Sequence, residues 1–420
     1  MNLNLFSYFT TFDGHNMKTR FTFSLLLTLM LFIPLHQTSA GEDKPQTEPD
    51  LKTEAKDPLR LVLPPTIYAV PGIETSVYFD NVSLSINPAN YVFDVHCNRG
   101  HLQQERWTYT PDEKEIGDYK FTLNVIDQNN EIIASQDSRL RVVPTAAGKD
   151  KPVSILMIGD SLTHNSIYPR HVRQLSQNFQ GPKLKLIGSH NPNKEDGVQH
   201  EGYGGWTAVR FATHFNDNAR QGHYRERGSP FLYADEDGKP KLDFPRYCKE
   251  FNDGKAPDLV TIFLGPNDVY SATDETIGER TDTMMNHLEI LVKMIHDFSP
   301  KTRIGLMLPV PPAATQDAFG TTNGRGQTRW QYKRNQHYVV EQMSKKFGDQ
   351  TDQQIFMVPT HINLDCAHNY PAVKVPWNAQ TTEDTLRQNN AVHPAASGYQ
   401  QIGDSLFCWI KEIMNQDKAK

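Results

Sequence analysis

From Val153 to Met414 the chain alternates short apolar runs with longer helix-permissive stretches, and this alternation restricts its fold more than any other feature. Segments 153–158, 183–188, 258–264, 303–309 and 354–358 read as strands, the first an apolar run with the look of a buried strand. Segments 165–179, 207–218, 275–298, 329–347 and 395–414 read as helices, with Met284, Leu288, Leu291, Val292 and Ile295 on one face of the third. Strands that alternate with helices predict a parallel sheet covered on both faces. In such sheets ligands bind beyond the carboxyl ends of the strands, so chemistry is sought there.

The residues before this region follow other rules. From Met17, read as an internal start, the chain reads MKTR, then an apolar run from Phe21 to Leu35, then HQTSA. A basic start, an apolar stretch and small residues ending at Ala40 predict a secretory signal peptide over residues 1–40 and hence a secreted or periplasmic protein. Residues 41–58 are charged and proline-bearing with almost no large apolar side chains, which predicts a disordered linker. Over 59–144 the pattern is short β-rich runs between turn residues. Phe121, Leu123 and Val125 alternate with Thr122, Asn124 and Ile126, and Asp127 to Asn130 form a hairpin-type turn. About eight short strands fit a small immunoglobulin-like β-sandwich, with a spacer and a carbohydrate-contact module as its open roles. Residues 145–151 (TAAGKDK) read as a second linker with few crossing contacts, so the sandwich is expected to be dispensable for chemistry on a small substrate. The catalytic domain is expected over 152–415.

Composition excludes several functions. With 43 Lys+Arg against 49 Asp+Glu the net charge is -6, which leaves no electrostatic footprint for nucleic acid. A mean hydropathy of -0.59 leaves no integral membrane span once the signal is cleaved. Cys97, Cys248, Cys366 and Cys408 form no CxxC pair, which removes zinc ribbons and thioredoxin-type chemistry; disulfide pairing stays open. HExxH, Walker-type loops and GxSxG are missing, and no metal or organic cofactor is expected.

Four blocks stand where the alternation predicts chemistry. Gly159-Asp160-Ser161 closes the first strand, and a serine held there at the start of a helix is exposed above the sheet, making Ser161 the candidate nucleophile. His200-Glu201-Gly202-Tyr203-Gly204-Gly205-Trp206 follows the second strand, with glycines that let backbone N–H groups approach a substrate oxygen. Gly265-Pro266-Asn267-Asp268 follows the third, where the Asn267 amide can hold an oxyanion. Asn390-Ala391-Val392-His393-Pro394 precedes the last helix and supplies His393 as general base. Asp160 and Asp268 are expected to play structural hydrogen-bonding roles, and Trp206 and Trp330 to pack or to stack on sugar.

In this order the blocks resemble the SGNH (GDSL) hydrolase family of serine esterases, from about Val153 to Trp409, and most closely its secreted bacterial members acting on acylated carbohydrates. The resemblance implies a flavodoxin-like three-layer α/β/α fold with a parallel sheet. It implies Ser161 as nucleophile, Gly205 and Asn267 with the Ser161 N–H as oxyanion donors, and His393 as base. The expected function is a serine esterase that deacylates a glycan or small ester. A lysophospholipase or thioesterase is the alternative, and a non-catalytic glycan-binding protein the alternative of another class. One position departs from the family: the acid of DxxH is here Asn390. Asn390 as a charge-free orienter of His393, Asp384 or Glu383 as a substitute carboxylate, and Asn390 as a plain turn residue are all compatible with the spacing.

Overall fold

A computed structural model describes residues 59–322 and 327–417, so the expected signal peptide and the 41–58 linker lie outside the described residues. The five longer strands of the central six-stranded sheet are β1 (Pro152–Gly159), β2 (Lys183–Ile187), β3 (Leu259–Phe263), β4 (Arg303–Met307) and β5 (Ile355–Val358). These are parallel throughout and lie in the order β2-β1-β3-β4-β5. That is the flavodoxin-like order, with its topological switch between β1 and β3.

Successive side chains of a strand point to opposite faces, and here each face has its own core. Leu156, Ile158, Val260, Ile262, Ile304 and Leu306 pack on one side against Met284, Leu288, Leu291 and Ile295 of α5 (Ile277–Phe298) and Val339 and Met343 of α7 (Arg329–Phe347). Ile155, Met157, Leu259, Phe263, Met307 and Val358 pack on the other against α2 (Ile167–Asn178) and α8 (Ala396–Gln416), through Tyr168, Val172, Ile402, Leu406 and Trp409. Burial on both faces is why the central strands are dominated by apolar residues, whereas the edge strand β2 keeps Lys183 and Lys185 exposed.

Three local departures have physical causes. The helix expected over 165–179 is α2, which starts two residues late because Ser166 takes a left-handed φ of 60° and separates it from a single preceding turn, α1 (Ser161–His164). The helix expected over 207–218 is α3 (Ala208–Thr213) and stops five residues early. A further helix, α4 (Phe244–Phe251), was not foreseen, although Asp243 caps it and Pro245 sits in its first turn, both helix-start signals. Before α7 lies the short α6 (Gln316–Thr322), also unforeseen.

Ahead of the α/β layers, strands Thr66–Ala69, Ile132–Val142, Gly117–Ile126 and Val92–His96 form one sheet, and Thr75–Tyr78, Arg106–Tyr109 and His101–Leu102 another. Ile67, Val77, Phe93, Trp107, Phe121, Leu123 and Leu140 fill a common core between them, so the region is a small β-sandwich. Its longest hairpin turns at Asp127, whose carboxylate accepts the N–H groups of Asn129 and Glu131.

The expectation of few crossing contacts is corrected. The sandwich and the α/β layers lie in one compact unit, and Ile362 of the α/β region is part of the sandwich core. Tyr78 N–H donates to the Ile362 carbonyl at 3.0 Å, and Ser76 N–H to Asn363 Oδ1 at 2.8 Å. Segment 145–151 is itself packed: Ala147 is buried, and Lys411 of α8, also buried, donates to the carbonyls of Thr145 and Ala147. The polar composition that read as a loose linker instead supplies carbonyls to a buried ammonium, which requires such partners. All four cysteines are free thiols, three of them buried.

Candidate active site

Ser161 is the first residue of α1, directly beyond the carboxyl end of β1. Asp160 makes that turn: its Oδ1 accepts the Leu162 N–H at 2.9 Å, an N-cap that leaves the Ser161 N–H outside the helical ladder. The pair Glu201–Gly202 adds to the end of β1, with Gly159 opposite Gly202, and Tyr203 N–H donates to the Gly159 carbonyl at 3.0 Å. This seats the 203–206 turn beside Ser161. Gly205 in that turn is exposed with φ of 78°, a conformation that favours glycine, and it lines the cavity beside Ser161 without a side chain.

His393 approaches from the loop before α8, and its Nε2 lies 2.8 Å from Ser161 Oγ. That distance is a nucleophile–base hydrogen bond. Burial holds the imidazole below its usual pKa, and no carboxylate counteracts it, so the ring is the neutral base at neutral pH. Asn390 is placed differently from the orienting role considered above. Its Oδ1 accepts the backbone N–H groups of His393, at 3.0 Å, and of Val392, at 3.3 Å, so it folds the loop rather than touching the ring. Asp384 and Glu383 do not replace it: Asp384 pairs opposite Pro376 in the exposed hairpin of Ala372–Pro376 and Asp384–Gln388, with Glu383 at its turn. Among the described residues Ser161 and His393 form a hydrogen-bonded pair with no carboxylate on the His393 ring.

Asn267 follows β3 and lines the same cavity, as the block order predicted. Its Nδ2 donates to Asp160 Oδ2 at 3.0 Å and to the Trp206 carbonyl at 3.2 Å. The amide thus ties together the three segments that bear Ser161, Gly205 and itself. To meet an oxyanion it must share or surrender one of those bonds. Asp160 and Asp268 have the structural roles expected of them, since Asp268 Oδ1 accepts the Ala208 N–H at the start of α3. Burial pushes both carboxyls up to about 7, and for Asp268 the nearby Asp160 adds to the effect.

The cavity measures about 530 Å3 and is lined by residues the motifs did not single out. His164, one helical turn after Ser161, was within reach of sequence reasoning. Tyr224, Arg225, Tyr270 and Tyr332 were not, because they come from loops and a helix with no spacing relation to the blocks. Tyr224 packs on the His164 ring with centroids 4.4 Å apart, and His164 Nδ1 lies 2.9 Å from His190 Nε2. Burial drives His190 down to about 2, with His200 adding to it, so His190 is neutral. Trp206 is fully buried among Tyr203 and Phe211 and serves packing, and Trp330 is not among the cavity residues. Among the described residues no group of three or more His, Cys, Asp or Glu side chains is arranged to hold a metal, and no helix is long and apolar enough to cross a membrane.

A serine delivered at a topological switch point, a histidine on its oxygen and a glycine turn and an asparagine lining the same cavity define a serine hydrolase of the flavodoxin-like α/β/α type. Residues 155–406, more than half of the chain, match the GDSL-like Lipase/Acylhydrolase family, and the chain belongs to that family of ester hydrolases. No curated relative matches the sequence. Similar solved structures include a carbohydrate esterase family 3 protein from Talaromyces cellulolyticus, with 16% identity and a TM-score of 0.37 over 63% of this chain and 99% of that one. A family 3 carbohydrate esterase from Clostridium thermocellum aligns with 16% identity and a TM-score of 0.36 over 63% of this chain and 98% of that one.

Proposed function

We propose that this protein is an exported esterase that removes short acyl groups, acetyl foremost, from a carbohydrate by way of an acyl-enzyme. The observation that carries the reading is the composition of the cavity around the dyad. Next to Ser161 and His393 stand Leu162, Pro266 and Val392, which offer small apolar surfaces to an acyl group. At the rim stand the Tyr224–His164 aromatic pair and the Arg225 guanidinium, which suit a pyranose face and its hydroxyls.

In the proposed cycle Ser161 Oγ attacks the ester carbonyl while His393 Nε2 takes its proton. The developing alkoxide is met by the N–H groups of Ser161 and Gly205, and by Asn267 as it shares its amide. Collapse expels the sugar alkoxide with the proton from His393, and water repeats the sequence on the acyl-enzyme. Export rests on the signal-peptide pattern ending at Ala40, and the immunoglobulin-like reading of the sandwich on its division into four and three strands.

Acetate release from a panel of acetylated polysaccharides, set beside fatty-acid release from lysophospholipids and long-chain thioesters, tests the substrate class. Turnover of an acetylated glycan at a rate well above that on any lipid is expected. Preference for a long acyl chain would overturn the carbohydrate reading, and absence of all ester hydrolysis would overturn the catalytic one.

A further inference from the structure

Among the described residues no carboxylate is hydrogen-bonded to the His393 ring, so its position depends on the backbone that bears it, and that backbone is braced through the β-sandwich. We propose that Asp80 of the sandwich is a positioning residue for His393. Asp80 lies in the single helical turn Phe79–Val82, and its carboxylate is divided between two cations at the start of α7. Oδ2 accepts from Arg329 Nη2 at 2.6 Å and Oδ1 from Lys333 Nζ at 2.5 Å, with Lys333 2% exposed. Between those two cations in sequence is Tyr332, which lines the catalytic cavity.

From Arg329 the brace runs to the base. Arg329 Nε donates to the Ala313 carbonyl at 3.1 Å, and Ala313 N–H donates to the Ala391 carbonyl at 3.0 Å, two residues before His393. Asn81, next to Asp80, supplies a parallel route. Its Nδ2 holds the carbonyls of His361 at 2.9 Å and Leu364 at 2.8 Å, and its Oδ1 lies 3.4 Å from Cys366 Sγ. The Cys366 carbonyl accepts Gln388 Nε2 at 2.8 Å and Ala314 N–H at 3.0 Å, while Gln388 Oε1 accepts Thr315 N–H at 2.9 Å. Segments 313–315 and 388–391 are thus laced together, and both lead back to adjacent residues of the sandwich.

A triad acid holds its histidine through the ring; here the ring is free of such a partner and the loop is held instead. A misplacement of about 1 Å in a reacting group can cost on the order of 100-fold in rate, so loosening the brace is expected to appear in kcat. A second ion pair between sandwich and α/β layers serves as the internal comparison. Arg141 Nε lies 3.3 Å from Glu412 Oε2, about four turns along α8 from the end that follows His393.

The test uses the full chain, with p-nitrophenyl acetate as substrate and a serine-directed phosphonate as inactivator, so it depends on ester hydrolysis and not on the carbohydrate reading. Asp80→Asn and Arg329→Lys are expected to lower kcat and the inactivation rate by about 10- to 100-fold with KM within about twofold. Arg141→Ala is expected to lower the melting temperature and leave kcat within about twofold, since it removes an interface contact remote from the base loop. Should Asp80→Asn fail to fold because Lys333 loses its partner, Arg329→Lys decides, as it keeps the charge facing Asp80 and removes the guanidinium bond to Ala313. Wild-type kcat in the folded variants, a change in KM alone, or an equal loss of kcat in Arg141→Ala would each overturn the proposal.

Discussion

Ser161 and His393 meet at 2.8 Å, yet the two sides of that hydrogen bond are built by opposite means. The serine is placed locally: β1 ends at Gly159, Asp160 caps the turn, Ser161 opens α1, and a short parallel pairing seats the Gly202–Gly205 backbone next to it. The histidine sits in the loop that follows the exposed strand Asp384–Gln388, folded by Asn390 and anchored through Ala391 and Gln388 to segments far away in sequence. A nucleophile fixed by its neighbours tolerates changes elsewhere in the molecule. A base fixed by remote contacts does not, and this difference orders the substitutions below.

The largest effect is expected on the serine side. Ser161→Ala removes the covalent route while leaving the cap and strand intact, so aryl-ester kcat should fall by at least about 1000-fold with an unchanged melting temperature. Residual activity above about a tenth of wild type in single-turnover assays would exclude Ser161 as nucleophile.

Asn267→Ala is expected to cost about 100- to 1000-fold in kcat, the scale of one oxyanion donor. It also releases Asp160 Oδ2 and the Trp206 carbonyl, so a loss of melting temperature should accompany it. If stability drops and kcat does not, Asn267 is a tie between segments and the two backbone N–H groups carry the oxyanion.

Gly202→Ala sharpens the local half of the comparison. A Cβ at Gly202 would lie 2.6 Å from Thr163 Cβ and 2.7 Å from His164 N, so the helix bearing Ser161 must shift. We expect a loss of about 10- to 100-fold in kcat/KM, measured beside phosphonate inactivation, because both readouts report the Ser161–His393 distance. An unchanged inactivation rate would mean that the serine turn yields without disturbing the dyad.

The smallest effects concern protonation. His393 must be neutral to accept the serine proton, and burial lowers its pKa, so the acidic limb of kcat/KM should lie below the ordinary histidine value of about 6.5. Asn390→Asp keeps the acceptor for the two loop N–H groups and adds a negative charge near the ring, which favours imidazolium. The limb should therefore move up in pH, with kcat at the plateau within about threefold of wild type. Asp384→Asn should change neither the plateau nor the limb, and a large loss in that variant would restore the carboxylate to the dyad.

Periodicity alone determined the α/β layers, because a strand buried on both faces and a helix buried on one must each satisfy a pattern that short-range sequence records. The five longer strands of the six-stranded sheet, the α5 stripe and α7 were legible for that reason, and so was Ser161, whose turn is made by adjacent residues. His393 was legible by type and position but its support was not. Asn390 looks from spacing like a substitute acid, and only the folded loop shows its oxygen spent on backbone N–H groups. The 145–151 segment read as a loose linker because its polarity is visible in sequence and the ammonium of Lys411, more than 250 residues away, is not. The same holds for Asp80: one carboxylate among 49 acidic residues carries no mark of the two cations it meets. Local hydrogen bonding and burial leave a repeating trace along the chain, whereas contacts between distant segments are single events that only the tertiary structure brings together.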